Sequence, residues 1–211
     1  MFNEDIERHE QLAGGCTTCR DDNLIYRHDD GWWAYPLFHV EGTCRAGIVI
    51  VLEAPNFDDT FNPRKGRLTC DPDTDPSGRF MCELLASVSL KPSDVFFTNT
   101  VLCLPAKKGG KFPVTAAVRT ACRPWLVRLI DEIAPGVVVA VGCEALHALG
   151  QIERHGLQLK TGVGRLHDWY GHKLLPLYHP SRLGRVMRPA ERQQEDITAL
   201  VPYLESVGWR A

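Results

Sequence analysis

Four short apolar runs, each rich in β-branched residues, constrain the fold of this 211-residue chain more than any other feature. The runs are 47–52, 95–98, 137–141 and 174–178. Each run is followed by a stretch of helical length, in which apolar residues recur about every 3.6 residues. These stretches are 79–89, 115–133, 143–150 and 189–207. Parallel strands need crossover connections, and the crossovers cover both faces of the sheet. We therefore expect an α/β fold, a three-layer sandwich with a central four-stranded, mainly parallel sheet.

Residues that break or cap regular structure support these boundaries. Thr115 is a suitable N-cap for the second helix, Pro135-Gly136 interrupts the chain before the third strand, and Pro189 suits the first turn of the last helix. The chain length lies within the range of about 50 to 250 residues that is usual for one domain. We expect residues 1–211 to form a single domain.

Cysteine usage points to a bound metal or cluster. Residues 1–5 are acidic and unlike a secretory signal, and no apolar run approaches the roughly 20 residues that a bilayer span needs. These features predict a soluble, cytoplasmic protein with no membrane partner. In that reducing compartment eight cysteines are not expected to form a disulfide framework. Metal or cluster ligation is the leading explanation.

Charge is distributed unevenly along the chain. The formal net charge is −2, but residues 101–190 contain 13 Lys/Arg against 5 Asp/Glu, whereas residues 1–100 contain 9 against 17. A basic segment of this kind can attract phosphates locally in a nearly neutral protein. Its members include Lys107, Lys108, Lys111, Arg119, Arg123, Arg182, Arg185 and Arg188.

Polar side chains stand directly after the predicted strands. In open parallel sheets, ligands bind at the carboxyl ends of the strands. Glu53 follows the first strand, Asn99 follows the second, the third runs into Gly142, and His179 follows the fourth. A carboxylate, a carboxamide and an imidazole are therefore expected at one rim of the sheet, where they could form a site.

These motifs resemble those of the uracil-DNA glycosylase superfamily. The resemblance rests on Glu53-Ala54-Pro55, on Thr98-Asn99-Thr100-Val101-Leu102-Cys103, on Val141-Gly142 and on His179-Pro180-Ser181. It spans Cys16 to about Arg185 and is closest to the iron-sulfur branches, families four and five. The resemblance implies a uracil-DNA glycosylase-like fold and base-excision repair of DNA containing uracil or deaminated bases, by a monomer.

The resemblance also implies an iron-sulfur cluster. Families four and five place two cysteines near the amino terminus and two more around the second strand and the following helix, which corresponds here to Cys16, Cys19, Cys103 and Cys122. A 4Fe-4S cluster is the implied cofactor, although four thiolates without histidine also suit zinc. A basic insert, 107–111, separates the last two cysteines. Cys82 and Cys143 are expected to be small buried residues, and Cys44 and Cys70 have no assigned role.

Two carboxylates are candidates for activating water. Family four has Gly-Glu-Ala-Pro-Gly where this chain has Glu53 between Leu52 and Ala54, without the flanking glycines. Family five has an Asp-x-Ser-Gly element before the next helix, and Asp75 begins such an element here. We favour Asp75 as the base, although it could also cap the helix. Phe57 and Phe61 are the nearest candidates for stacking on the flipped base.

The remaining roles follow from the chemistry of base release. The Asn99 amide could pair with O4 and N3-H of uracil, and His179 could donate to O2 as charge develops there. Ala54, Ser181 and Arg182 are expected to contact the substrate, with Arg182 and Arg185 at phosphates or wedged into the duplex. Because no nucleophilic lysine is required, we expect a monofunctional glycosylase that hydrolyses the N-glycosidic bond and leaves an abasic site.

Two alternatives remain open from the sequence. One is a non-catalytic iron-sulfur protein of the same fold that binds uracil or DNA without excising the base, because fold does not guarantee chemistry. The other is a redox-sensing cluster protein, for which the cysteines would be sufficient. Release of uracil, or its absence, separates both from the glycosylase.

Overall fold

The computed structural model describes residues 11–37, 44–57 and 75–210. Its strands are β1 (Ile48–Leu52), β2 (Phe96–Asn99), β3 (Val137–Val141), β4 (His167–Trp169) and β5 (His172–Leu177). Its helices are α1 (Thr18–Asp21), α2 (Pro76–Ser87), α3 (Ala116–Ile133), α4 (Cys143–Gly150), α5 (Leu159–Gly162), α6 (Arg182–Met187), α7 (Ala190–Ile197) and α8 (Val201–Ser206). Short 3-10 turns lie at Pro92–Asp94 and Thr198–Leu200.

The strands form one sheet in the order β2-β1-β3-β5-β4. The first four strands in that order are parallel to their neighbours, and β4 is antiparallel to β5. The predicted mainly parallel sheet is therefore confirmed, but the predicted count of four strands was wrong. The missed strand β4 has only three residues, and its first two, His167 and Asp168, are polar, so it lacks the apolar run that marks the others.

Both faces of the sheet are covered, which confirms the three-layer arrangement. Successive strand residues alternate between the faces. On one face, side chains such as Ile48, Ile50 and Val139 pack against α2 and the carboxyl-terminal helices. On the other, Val49 and Val138 pack with α3 and α4. β1 and β3 are each β-branched at four of their five positions, and both of their faces are buried.

The carboxyl-terminal segment differs from the single helix predicted for 189–207. It is divided into α7, a 3-10 turn and α8, and Pro202 stands in the first turn of α8, where a missing backbone N-H costs least. Pro189 is the N-cap residue of α7 and not a member of its first turn. The short helix α6 was not predicted. By contrast, Thr115 caps α3 as expected, accepting from the Val118 N-H at 3.4 Å.

A third apolar cluster lies beyond the ends of β1 and β2. It is built from Ala13, Val101, Leu102, Val118 and Cys122, with Ala54 packed against it. The cluster joins the amino-terminal segment to α3 and to the chain that leaves β2. In the described part of the chain, every helix is too short or too polar to cross a membrane.

Candidate active site

The carboxyl ends of β1 and β2 place Glu53 and Asn99 side by side. Leu52 and Asn99 are partners in the parallel register of these strands. The Thr100 N-H donates to the Leu52 carbonyl at 2.8 Å, and its hydroxyl donates to the Glu53 carbonyl at 2.6 Å. The backbone that carries the two functional side chains is thus fixed by hydrogen bonds on both strands.

Asn99 is a buried amide with an unused donor. The residue is 2% exposed, and its Nδ2 has no hydrogen-bond partner among the described residues. Leaving a buried donor unpaired costs about 1 to 3 kcal/mol, so such groups are uncommon away from functional sites. Asn99 therefore has the property expected of a side chain that recognises a ligand through its amide.

His179 is held in one protonation state by the turn that follows it. The Ser181 backbone N-H donates to His179 Nδ1 at 3.1 Å. A ring nitrogen that accepts a hydrogen bond carries no proton, so the proton of the neutral ring is on Nε2. Burial lowers the pKa of His179, and the nearby Asp75 carboxylate opposes that shift in part. The imidazole is therefore a neutral donor through Nε2.

This protonation state predicts how stability depends on pH. Because the pKa of His179 is lowered in the folded state, the unfolded chain binds the proton more readily. The neutral ring therefore contributes stability above about pH 6.5, the ordinary pKa of histidine, and this stability is lost as the pH falls below that value. Chemical denaturation of the wild type and of His179→Gln at pH 7.5 and 5.5 should show the larger fall in unfolding free energy for the wild type. Equal falls in the two proteins would contradict the assignment.

Asp75 lies close to His179 and caps the helix α2. Its Oδ1 accepts from the Ser77 N-H at 2.9 Å, which satisfies one of the free donors at the start of the helix. The capping role that the sequence left open is thus confirmed. It does not exclude catalysis, because a carboxylate has a second oxygen and Asp75 acts electrostatically on the His179 ring.

Glu53 has two charged neighbours that the sequence analysis did not connect with it. Partial burial of its carboxyl raises the pKa of Glu53, the Glu144 carboxylate raises it further, and the Arg119 guanidinium lowers it. Arg119 pairs with Glu144 and also donates to the Val114 carbonyl at 3.3 Å. Glu144 could have been found from the sequence, because it follows β3 by three residues and so belongs to the same rim.

The turn after β5 aims His179 and begins α6. Ser181 caps α6, its hydroxyl accepting from the Gly184 N-H at 3.2 Å. A Cβ on Gly184 would lie 1.8 Å from the His179 carbonyl oxygen, so only glycine allows this close approach. Arg185 lies over the Phe80 ring at 5.2 Å, whereas Arg182 is exposed.

Apolar side chains on α6 are unusually exposed. Leu183, Val186 and Met187 are 73%, 72% and 67% exposed. They lie directly beyond His179 and were missed in the sequence analysis, which considered only the arginines of this segment. The signal was available, because the apolar residues alternate with glycine and arginine in a segment too short to bury them.

Four cysteine side chains meet at a second location. Cys16, Cys19, Cys103 and Cys122 line one cavity, together with apolar residues that include Val101 and Trp125. The Leu102 N-H donates to Cys122 Sγ at 3.3 Å. The residues that the sequence pattern grouped as ligands are therefore brought together by the fold.

Burial disfavours the thiolate form of these cysteines. Burial raises the pKa of Cys103, and the three neighbouring cysteines raise it further. Burial likewise raises the pKa of Cys122 to about 12. Within the described residues, no three Cys, His, Asp or Glu side chains are close enough to hold one metal ion. Four cysteines around one cavity form a donor set that suits either zinc or an iron-sulfur cluster.

The other described cysteines lie outside this cavity. Cys143 is exposed at the start of α4, so the expectation that it is buried was wrong. Its position is the first on the helix after Gly142, at the rim, where the side chain faces away from the core. Cys82 is half-buried, and buried Cys44 donates to the Ile48 carbonyl at 3.3 Å. Cys70 and Phe61 lie outside the described residues.

Comparisons with known proteins agree with this architecture. A family model described as the uracil DNA glycosylase superfamily matches residues 39–205. The chain belongs to this superfamily. It is 32% identical over 148 residues to a protein named type-4 uracil-DNA glycosylase from Thermotoga maritima, covering 69% of this chain and 70% of the relative. A protein of the same name from Archaeoglobus fulgidus is 29% identical over 158 residues, covering 72% and 73%.

Membership of the uracil DNA glycosylase superfamily confirms the resemblance and the fold class. The matched region begins after Cys16 and Cys19, so the family model does not include the first cysteine pair. It does include the rim residues Glu53, Asn99 and His179.

Proposed function

We propose that this protein is a monofunctional uracil-DNA glycosylase, which acts on DNA as a monomer. The observation that carries the proposal is the buried Asn99 amide, whose Nδ2 has no hydrogen-bond partner among the described residues, on the same rim as two carboxylates and a neutral histidine. A planar amide offers one donor and one acceptor side by side. That pattern complements O4 and N3-H of uracil and mismatches cytosine, whose edge is reversed. The relatives named type-4 uracil-DNA glycosylase support the same reaction.

The chemistry is hydrolysis at the sugar carbon C1′. The bond between C1′ and uracil N1 breaks, and its electron pair leaves with the base, where His179 Nε2-H stabilises the charge that develops on O2. Water oxygen bonds to the oxocarbenium-like C1′, and its proton passes to a carboxylate. Asp75 accepts this proton, and Glu53 shapes the pocket. The products are free uracil and an abasic site.

The helix α6 is suited to hold the flipped state of DNA. A nucleotide must leave the stack to reach a buried amide, and an apolar side chain can fill the gap it leaves. The exposed Leu183, Val186 and Met187 can supply that wedge, and exposed Arg182 can contact a phosphate. Arg185 is less suited to the wedge role, because it is packed on Phe80. Ala54 and Ser181 contribute by shaping the rim.

The cysteine cavity is proposed to hold a 4Fe-4S cluster through Cys16, Cys19, Cys103 and Cys122. Such a cluster would supply cross-links between segments distant in sequence, since the four cysteines come from the amino-terminal segment, the chain after β2 and α3. Ala54 packs on the apolar cluster that contains Cys122, so the cavity is mechanically connected to the rim. The proposed role is structural.

A bound cluster predicts that two serine variants differ in iron content and in thermal stability. The wild type should be brown and contain about four iron and four sulfide per chain. Cys122→Ser should lose most of the iron and unfold at a lower temperature, because the cavity then lacks a ligand. Cys143→Ser, which changes an exposed cysteine outside the cavity, should match the wild type. A colourless wild type that contains zinc would contradict the cluster.

The proposed function is tested by excision from labelled oligonucleotides. Single- and double-stranded substrates that contain one uracil, and controls with cytosine or thymine at that position, are incubated with the brown protein and then cleaved at abasic sites. Strand cleavage only after alkali, and only with uracil, is expected. Tight binding to uracil DNA without an abasic product would instead identify a non-catalytic binding protein. Cleavage without alkali would contradict a monofunctional enzyme.

A further inference from the structure

The basic insert between Cys103 and Cys122 folds into a tight hairpin at 107–112. Lys108 and Lys111 are paired as an antiparallel bridge, with N-H to carbonyl distances of 2.8 and 3.1 Å in the two directions. Gly109 and Gly110 both have positive φ, at 58° and 79°, as a two-residue type I′ turn requires. A Cβ on either glycine would meet open space, so the turn projects from the protein.

The hairpin presents a cluster of positive charge to solvent. Lys107, Lys108 and Lys111 are all exposed, and among the described residues no carboxylate pairs with any of them. Like charges directly opposite each other on paired strands are destabilising. The turn therefore presents two lysines side by side, where they can bind an anion together.

Aromatic rings join the hairpin to the segment that follows β1. Phe112 stacks on Phe57 with ring centroids 5.9 Å apart, and Tyr26 meets both rings edge-on at 5.4 and 5.7 Å. Phe57 is 40% exposed and follows Glu53 by four residues. The base of the hairpin is paired with the amino-terminal segment through the Ile25–Pro105 bridge. The hairpin is thus anchored to the segment that follows Glu53 and to the amino-terminal segment.

We infer that this hairpin and the adjoining rings bind an unpaired stretch of the DNA strand that carries the uracil. Lysines beside partly exposed aromatic rings are the combination that single-stranded DNA requires, since phosphates bind the cations and bases stack on the rings. Lys108 and Lys111 contact the phosphates, and Phe57 stacks on a base next to the flipped nucleotide. The inference rests on the proposed function, and it adds a preference for single-stranded or locally opened substrates.

The inference is tested by the salt dependence of binding to DNA that contains no uracil. The probe is a fluorescein-labelled thymidine 12-mer, used alone and annealed to its complement, and anisotropy is measured from 50 to 300 mM salt. Lys108→Gln/Lys111→Gln should weaken binding to the single strand about tenfold and lower the slope of log Kd against log salt by about 1.4, since each phosphate contact contributes about 0.7.

Two further variants separate charge from stacking. Phe57→Leu should weaken binding to the single strand about tenfold and leave the salt slope unchanged, because it removes a ring and no charge. The control variant Arg154→Gln/Lys173→Gln removes two exposed charges near the opposite end of the sheet. It should leave the affinity for the single strand and the salt slope unchanged. A lysine variant that matches this control would overturn the inference, as would a Phe57 variant with wild-type affinity.

The binding measurement also keeps the inference separate from the proposed function. The probe has no uracil, so affinity is measured whether or not the protein excises a base. A protein that binds as expected and leaves uracil in place would overturn the proposed function alone. A protein that excises uracil and shows equal binding by the wild type and the lysine variant would overturn the inference alone.

Discussion

Asn99→Leu should abolish most uracil excision and leave the fold at least as stable as the wild type. The wild-type Asn99 Nδ2 is buried and has no partner in the part of the chain that the structure describes, so replacing the amide by an apolar side chain of similar size removes a desolvated donor. Loss of the two hydrogen bonds to uracil should slow single-turnover excision by a factor on the order of 10², or about 3 kcal/mol. Unfolding in denaturant should show an unchanged or higher midpoint. A variant both inactive and strongly destabilised would point instead to a structural role.

Asn99→Asp provides the matched test of base reading. A carboxyl at this 2% exposed position should be held protonated by burial. A protonated carboxyl can rotate its donor and acceptor to match either edge, so the preference for uracil over cytosine should weaken although the uracil rate also falls. Measurement of both rates on the same oligonucleotide sequence gives the ratio directly. An unchanged ratio of the uracil rate to the cytosine rate would show that Asn99 does not recognise the base.

The sheet could be predicted because its strands obey a simple physical rule. A parallel strand that is covered on both faces must be apolar at every position, and β1 and β3 meet that condition without exception. The rim residues follow from topology, since parallel strands end at one edge, Asn99 is the last residue of β2, and Glu53 and His179 follow β1 and β5. β4 does not obey the rule, because it is an edge strand of three residues with a polar start.

The details of the site depend on contacts that no local pattern records. The placement of Arg119 and Glu144 beside Glu53 joins α3, α4 and the end of β1, which are distant in sequence. The proton position on His179 is set by the Ser181 N-H, and this depends on the shape of a turn. Local patterns also could not reveal that Cys143 is exposed, because a helical apolar period does not say which face meets the sheet.

The choice between the two carboxylates is tested best by Asp75→Asn. Asparagine is as good an N-cap as aspartate, so the bond from the Ser77 N-H and the stability of α2 should be retained. The proton acceptor is lost, and excision should slow by about 10² to 10⁴, the usual contribution of a general base. DNA binding by an uncleavable analogue should change little. Circular dichroism and the unfolding midpoint confirm that the cap is intact.

Glu53→Gln is the matched control for Asp75→Asn. The pH profile of excision decides which of the two carboxylates is the base. Because burial and Glu144 raise the pKa of Glu53, catalysis by this carboxylate would fail as pH drops through a value above the ordinary range of about 4.5. If Asp75 is the base, Glu53→Gln should slow excision only modestly and keep the acid limb of the wild-type profile. If Asp75→Asn excises uracil at a near-normal rate and Glu53→Gln loses the acid limb, the water-activating role belongs to Glu53. We expect the first outcome, because a carboxylate whose charge acts on the neutral His179 ring can also stabilise the positive charge that develops at C1′.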